Sequence, residues 1–117
     1  MSSLGGLFRH AKTIESFAAG QKIFAAGDLG DTMYAIQDGE VDIVIDGKVV
    51  ETATAGAIFG EMALIDDAPR SADAIARTEC HLVPVDKQHF LFMVTETPNF
   101  ALQVMHIMAN RLRANHT

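Results

Sequence analysis

The amino-acid sequence predicts a mainly β fold, an antiparallel roll or barrel that ends in helices. Three observations carry this. Short apolar runs separated by turn residues recur from Thr13 onward, a glycine-containing segment interrupts them between Ala57 and Ala72, and the apolar spacing becomes helical from Lys87.

The first ten residues, MSSLGGLFRH, offer only an amphipathic turn around Leu7 and Phe8. A short helical segment is therefore expected over residues 1–12, and the roll over residues 13–86. The β-like runs are TIESFA, KIFAAG, TMYAIQ, EVDIVID and KVVETA, followed after the interruption by SADAIAR and ECHLVPVD. Alternation is clearest from Val41 to Asp46, where Val41, Ile43 and Ile45 share one face of a half-buried strand. Gly27-Asp28, Gly30-Asp31, Asp38-Gly39 and Asp46-Gly47 stand between the runs. The Asp-Gly pairs favour tight hairpins, because glycine accepts positive φ. Helices are expected over residues 87–113. Phe90, Met93 and Val94 share a helical face, and Pro98 suits the first turn of a second helix. In that helix Ala101, Val104, Met105, Met108 and Leu112 recur at three and four and form one apolar stripe.

Size and charge bound the function. A chain of 117 residues fits a single domain, residues 1–117, that buries a core without disulfides or metals. Nine Lys and Arg against fifteen Asp and Glu leave a net charge of -6. Nucleic acid and membrane surfaces are therefore not expected partners, and an anionic ligand has to be caught locally. Cys80 is the sole cysteine; it reads as a buried, inert thiol and fits a reducing cytoplasm, the expected location. The longest apolar run, Phe90 to Val94, is five residues, far short of the roughly 20 needed to span a bilayer. The five histidines are scattered, with no two at ligand spacing, so no metal site is expected.

Chemistry concentrates in FGEMALIDDAPRSADA, Phe59 to Ala74. Gly60 allows close backbone approach, and Glu61 to Ile65 have good helix propensity with a carboxylate in the first turn. Such a turn has amide donors without partners that can receive an anion. Arg70 follows Glu61 by nine positions, just after Pro69, where a rigid turn can swing its guanidinium back to the same helix end. Backbone amides with a forked, charged arginine form a phosphate-binding pair, and Ser71 can add a hydroxyl. Glu61 suits a sugar hydroxyl instead. The alternative is that Arg70 is a surface arginine paired with Asp66, Asp67 or Asp73.

The run FGEMALIDDAPRSA closely resembles the phosphate-binding cassette of the cyclic-nucleotide-binding domains. These domains occur in catabolite-activator-like regulators, regulatory subunits of cAMP-dependent kinase and cyclic-nucleotide-gated channels. FAAGDLGDTMYAIQDGEVDIV resembles their glycine-punctuated strands, and FALQVMHIMANRLR the helix after their roll; the resemblance runs from about Phe17 to Arg113. It implies an antiparallel double-stranded, jelly-roll-like β-roll with a short phosphate-binding helix and a C-terminal helical lid. It also implies that Glu61 holds the ribose 2′-hydroxyl and Arg70 the cyclic phosphate. Gly60, Met62, Ala63 and Ser71 would then contact the ligand mainly through the backbone. The purine contact from the C-terminal helix has no assigned residue.

The expected function is binding of a 3′,5′-cyclic nucleotide, with no catalysis, and signalling by movement of the C-terminal helix to a protein effector. Beyond that ligand, cAMP or cGMP, no cofactor is expected. cAMP is favoured, because Ser71 is the only cassette group suited to reading guanine and the helix stripe is apolar. Two alternatives keep the fold: an interaction domain whose acids quench Arg70, and a fragment of a larger regulated protein. A metal-dependent β-barrel enzyme needs clustered histidines that the sequence lacks. No DNA-binding helix pair, membrane segment or catalytic domain follows Arg113, so output is expected through a partner.

Overall fold

The computed structural model describes residues 11–115, which leaves most of the helical segment expected at residues 1–12 outside the described residues. Among the described residues, eight strands precede and flank three helices. They are β1 (Glu15–Phe17), β2 (Lys22–Phe24), β3 (Thr32–Asp38), β4 (Val41–Ile45), β5 (Lys48–Ala53), β6 (Ile58–Phe59), β7 (Asp73–Ala76) and β8 (Cys80–Asp86). The helices are α1 (Met62–Asp66), α2 (Lys87–Glu96) and α3 (Pro98–Asn115). All strand pairs are antiparallel, in two four-stranded sheets ordered β1-β8-β3-β6 and β2-β7-β4-β5. The antiparallel roll with C-terminal helices is thus the observed architecture.

Seven of the eight strands fall on the runs read from the sequence, with β3 ending one residue past TMYAIQ at Asp38; β6 is the exception. It is only two residues long, Ile58 and Phe59, pairing with Ala35 and Tyr34 of β3, so no alternation can mark it. The turns divide. Asp46-Gly47 closes the β4–β5 hairpin, with Ile45 opposite Lys48. Asp38-Gly39 closes none, because β3 and β4 belong to different sheets. Gly39 instead carries the chain across the corner, packed so closely on the backbone of Glu79 and Cys80 that a Cβ would lie 2.4 Å from the Glu79 carbonyl.

Two apolar clusters share the strands of the first sheet. Between the sheets lie Ile36, Val41, Phe59, Ala74, Cys80 and Leu82, and between the first sheet and the helices lie Met33, Ala35, Val83, Val85, Phe100 and Val104. β3 and β8 are therefore covered on both faces, which explains why TMYAI and LVPV show little polar alternation. Cys80 is fully buried, its Sγ 3.1 Å from the carbonyls of Glu40 and Thr78, and burial pushes the thiol pKa up. In β4 the apolar face runs from core to cleft: Val41 is buried, whereas Ile43 and Ile45 line an open cavity.

The helical layer is anchored at both joints. Asp86 caps α2, its carboxylate accepting from the His89 amide at 2.8 Å. Pro98 begins α3, where a missing N–H costs nothing. Phe90 meets Phe100 edge to face, with centroids 5.6 Å apart. The inward face of α3 is Phe100, Val104, Ile107 and Met108. Met105 and Leu112, placed on that stripe by the spacing, are more than half exposed: they lie to one side of a helix that meets the sheet along a narrower line.

Candidate functional site

A cleft of about 800 Å³ lies between the β4–β5 hairpin, the segment from Phe59 to Ala72 and the C-terminal half of α3. Its size is in the range of small-molecule sites. All six residues picked from the sequence, Gly60, Glu61, Met62, Ala63, Arg70 and Ser71, line it. They are brought together by local geometry. Gly60 has φ 79°, in the left-handed region, and turns the chain from β6 into α1. The loop after α1 is then held against the β2–β3 loop by two backbone hydrogen bonds, Gly27 N–H to Arg70 O at 2.7 Å and Arg70 N–H to Asp28 O at 2.8 Å.

That pairing delivers the Arg70 side chain back to the start of α1. Its Nη1 donates to Gly60 O at 3.0 Å and its Nη2 to Thr32 O at 2.6 Å, while its Cζ lies 4.0 Å from the centre of the Phe24 ring. Phe24 in turn packs on Phe59, and Phe59 on Tyr34 at 5.4 Å. The side chain is thus held by carbonyl dipoles and a ring face rather than by Asp66, Asp67 or Asp73. Asp73 is engaged elsewhere, by the Ala26 amide at 2.7 Å and by Lys22 at 3.8 Å. Burial lowers the Arg70 pKa, opposed by Tyr34, Asp31, Asp28 and Glu61; a guanidinium remains charged nonetheless.

Glu61 departs from the expected arrangement in one respect. It is the N-cap of α1 rather than a first-turn residue, and its side chain makes no capping bond. The buried carboxylate instead accepts from Arg111 of α3, Nη1 to Oε1 at 2.9 Å. Arg111 also grips Glu51 of β5 with two bonds, Nε at 2.8 Å and Nη2 at 2.9 Å, and donates to Ile58 O at 2.6 Å. Burial works to lower the Arg111 pKa, but its bonds to Glu51 and the charge of Glu61 outweigh that and hold it above its ordinary value.

Arg111 and Glu51 are the site residues that sequence reasoning missed. The signal was present for the first of them: Arg111 lies seven residues after Val104 and three after Met108, on the inward face of the helix. A charge at such a position requires a buried partner. Glu51 gave no signal, since alternation in KVVETA does not show that β5 faces a distant helix.

A model of the family described as "Cyclic nucleotide-binding domain" matches residues 14–97. The chain belongs to the cyclic nucleotide-binding domain family. Over 74 residues the domain is 46% identical to human Rap guanine nucleotide exchange factor 3, a match covering 62% of this chain and 8% of that protein. Over 71 residues it is 41% identical to the cAMP-dependent protein kinase regulatory subunit of Eremothecium gossypii, covering 61% of this chain and 16% of that one. In shape it is similar to the catabolite activator protein of Thermus thermophilus, with TM-score 0.80 and 28% identity over 89% of this chain and 51% of that one. The matched region is thus a small part of the curated relatives. The domain is related to cAMP-binding regulatory domains, and among its described residues no helix is long and apolar enough to cross a membrane.

Proposed function

We propose that the cleft binds a 3′,5′-cyclic nucleotide, with Arg70 on the cyclic phosphate and Glu61 on the ribose 2′-hydroxyl. The observation that carries this reading is the charge pattern of the cleft: Arg70 is bonded to uncharged carbonyls, so its positive charge is free to meet an anion, and Glu61 stands at the same helix start. The backbone of Gly60, Met62 and Ala63 and that of Ser71 completes the anion-facing wall. An interaction domain with a quenched arginine requires Asp66, Asp67 or Asp73 on the guanidinium, and the contacts of Arg70 lend that no support.

α3 acts as the lid in this reading. Arg111 ties the helix to β5 and to Glu61, so a ribose hydroxyl that engages Glu61 competes with the bond holding the helix down. Binding then shifts the population of docked and released helix through differential affinity, and a protein effector reads that shift. cAMP is preferred or bound equally well: the base end of the cleft is bounded by apolar side chains such as Ile45 and Val50, and the named kinase relative is cAMP-dependent. Calorimetric titration with cAMP and cGMP tests the reading. Absence of heat and of thermal stabilisation up to millimolar nucleotide overturns it.

A further inference from the structure

We propose that Gly30 is a positioning residue for Arg70: its missing side chain is the slot in which the guanidinium lies. This rests on the reading of Arg70 as the phosphate-binding group. Gly30 sits in the loop between β2 and β3, where the sequence marks it as an ordinary turn former. A Cβ there would stand 2.6 Å from both Nε and Nη2 of Arg70 and 2.7 Å from Cζ. Unbonded carbon and nitrogen atoms settle at roughly 3.5–4.0 Å, so any side chain at this position expels the guanidinium.

The backbone supplies no competing reason for glycine. Gly30 is absent from the residues with positive φ, unlike Gly60, whose φ of 79° strains any substitution. The backbone conformation at Gly30 therefore accepts alanine, and the atoms nearest the added Cβ all belong to the far end of a flexible side chain. The fold can yield by moving that end, but the site cannot. Once displaced, the guanidinium loses its bonds to Thr32 O and Gly60 O and its place on Phe24, which together set where its remaining donors point.

The test is a double-mutant cycle of Gly30→Ala and Arg70→Ala, read by cAMP titration and thermal unfolding. Gly30→Ala alone should weaken cAMP by about tenfold or more, the scale of one lost charge-assisted hydrogen bond, with an unchanged unfolding midpoint. In the Arg70→Ala background it should cost less than about twofold, because the partner is gone. Parent-like affinity of Gly30→Ala, or an equal loss in both backgrounds, overturns the proposal. So does a lowered unfolding midpoint of Gly30→Ala in both backgrounds, which would make the glycine a requirement of the fold and not of the guanidinium. A second measurement needs no ligand: the Arg70 Nε–H signal in a ¹⁵N NMR spectrum should move in Gly30→Ala, and an unmoved signal overturns the slot. A parent that binds no nucleotide, together with a moved signal, sinks the binding reading and leaves the slot standing.

Discussion

Arg70 enters the cleft from the loop after α1, and Arg111 enters it from α3. Both guanidiniums are largely withdrawn from water, yet their surroundings are opposite. Arg111 is shared between two carboxylates, Glu51 and Glu61, and one carbonyl, so the cluster carries one negative charge more than it needs. Arg70 has carbonyls and an aromatic face, so no carboxylate is bonded to it, although Asp31, Asp28 and Glu61 act on its charge from farther off. The first arrangement fastens one element to another. The second leaves a cation fixed in place with an unmet demand, which is the requirement for capturing an anion.

That contrast makes the largest effect the loss of Arg70. Arg70→Ala should weaken cAMP by about 3 kcal/mol, roughly a hundredfold; a loss under threefold in titration would put Arg70 outside the binding event. Glu61→Ala should cost about 1.5–3 kcal/mol, a charged hydrogen bond to a neutral hydroxyl. In that variant 2′-deoxy-cAMP should lose little further, and strong residual discrimination against it would remove Glu61 from the ribose. Arg111→Gln should act on the fold rather than on phosphate capture. It leaves Glu61 buried beside a weaker donor, so unfolding by denaturant should show a loss of about 2 kcal/mol. Amide exchange in α3 should rise while that of β4 stays put; equal exchange in both would mean that Arg111 does not hold the helix. The smallest effect falls to Ser71. Ser71→Ala should weaken cAMP and cGMP alike, by no more than about 1.5 kcal/mol, and a loss confined to cGMP would show that the serine reads guanine.

Much of this contrast was legible in the sequence on one side and hidden on the other. Glu61 and Arg70 lie nine positions apart with a glycine and a proline between the strands they join, so local chain geometry brings them together and spacing can reveal it. Arg111 meets Glu61 across 50 residues and Glu51 across 60; only packing decides such pairs. The apolar stripe located the helix but not what each residue meets: Met105 is more than half exposed, and Leu112 lines the open cleft instead of packing on the sheet. The same limit applied to Asp38-Gly39: an Asp-Gly pair signals a turn, but nothing local says whether the strands it joins share a sheet. β6 was invisible because two residues carry no period.

The bond from Arg70 Nη2 to Thr32 O has a mechanical consequence. That carbonyl and the amide of Met33 belong to one rigid peptide plane, and Met33 lies in the cluster beneath Phe100 and Val104 of α3. The seat of the guanidinium and the floor beneath the helix are thus joined by covalent geometry alone, through neither Glu61 nor Arg111.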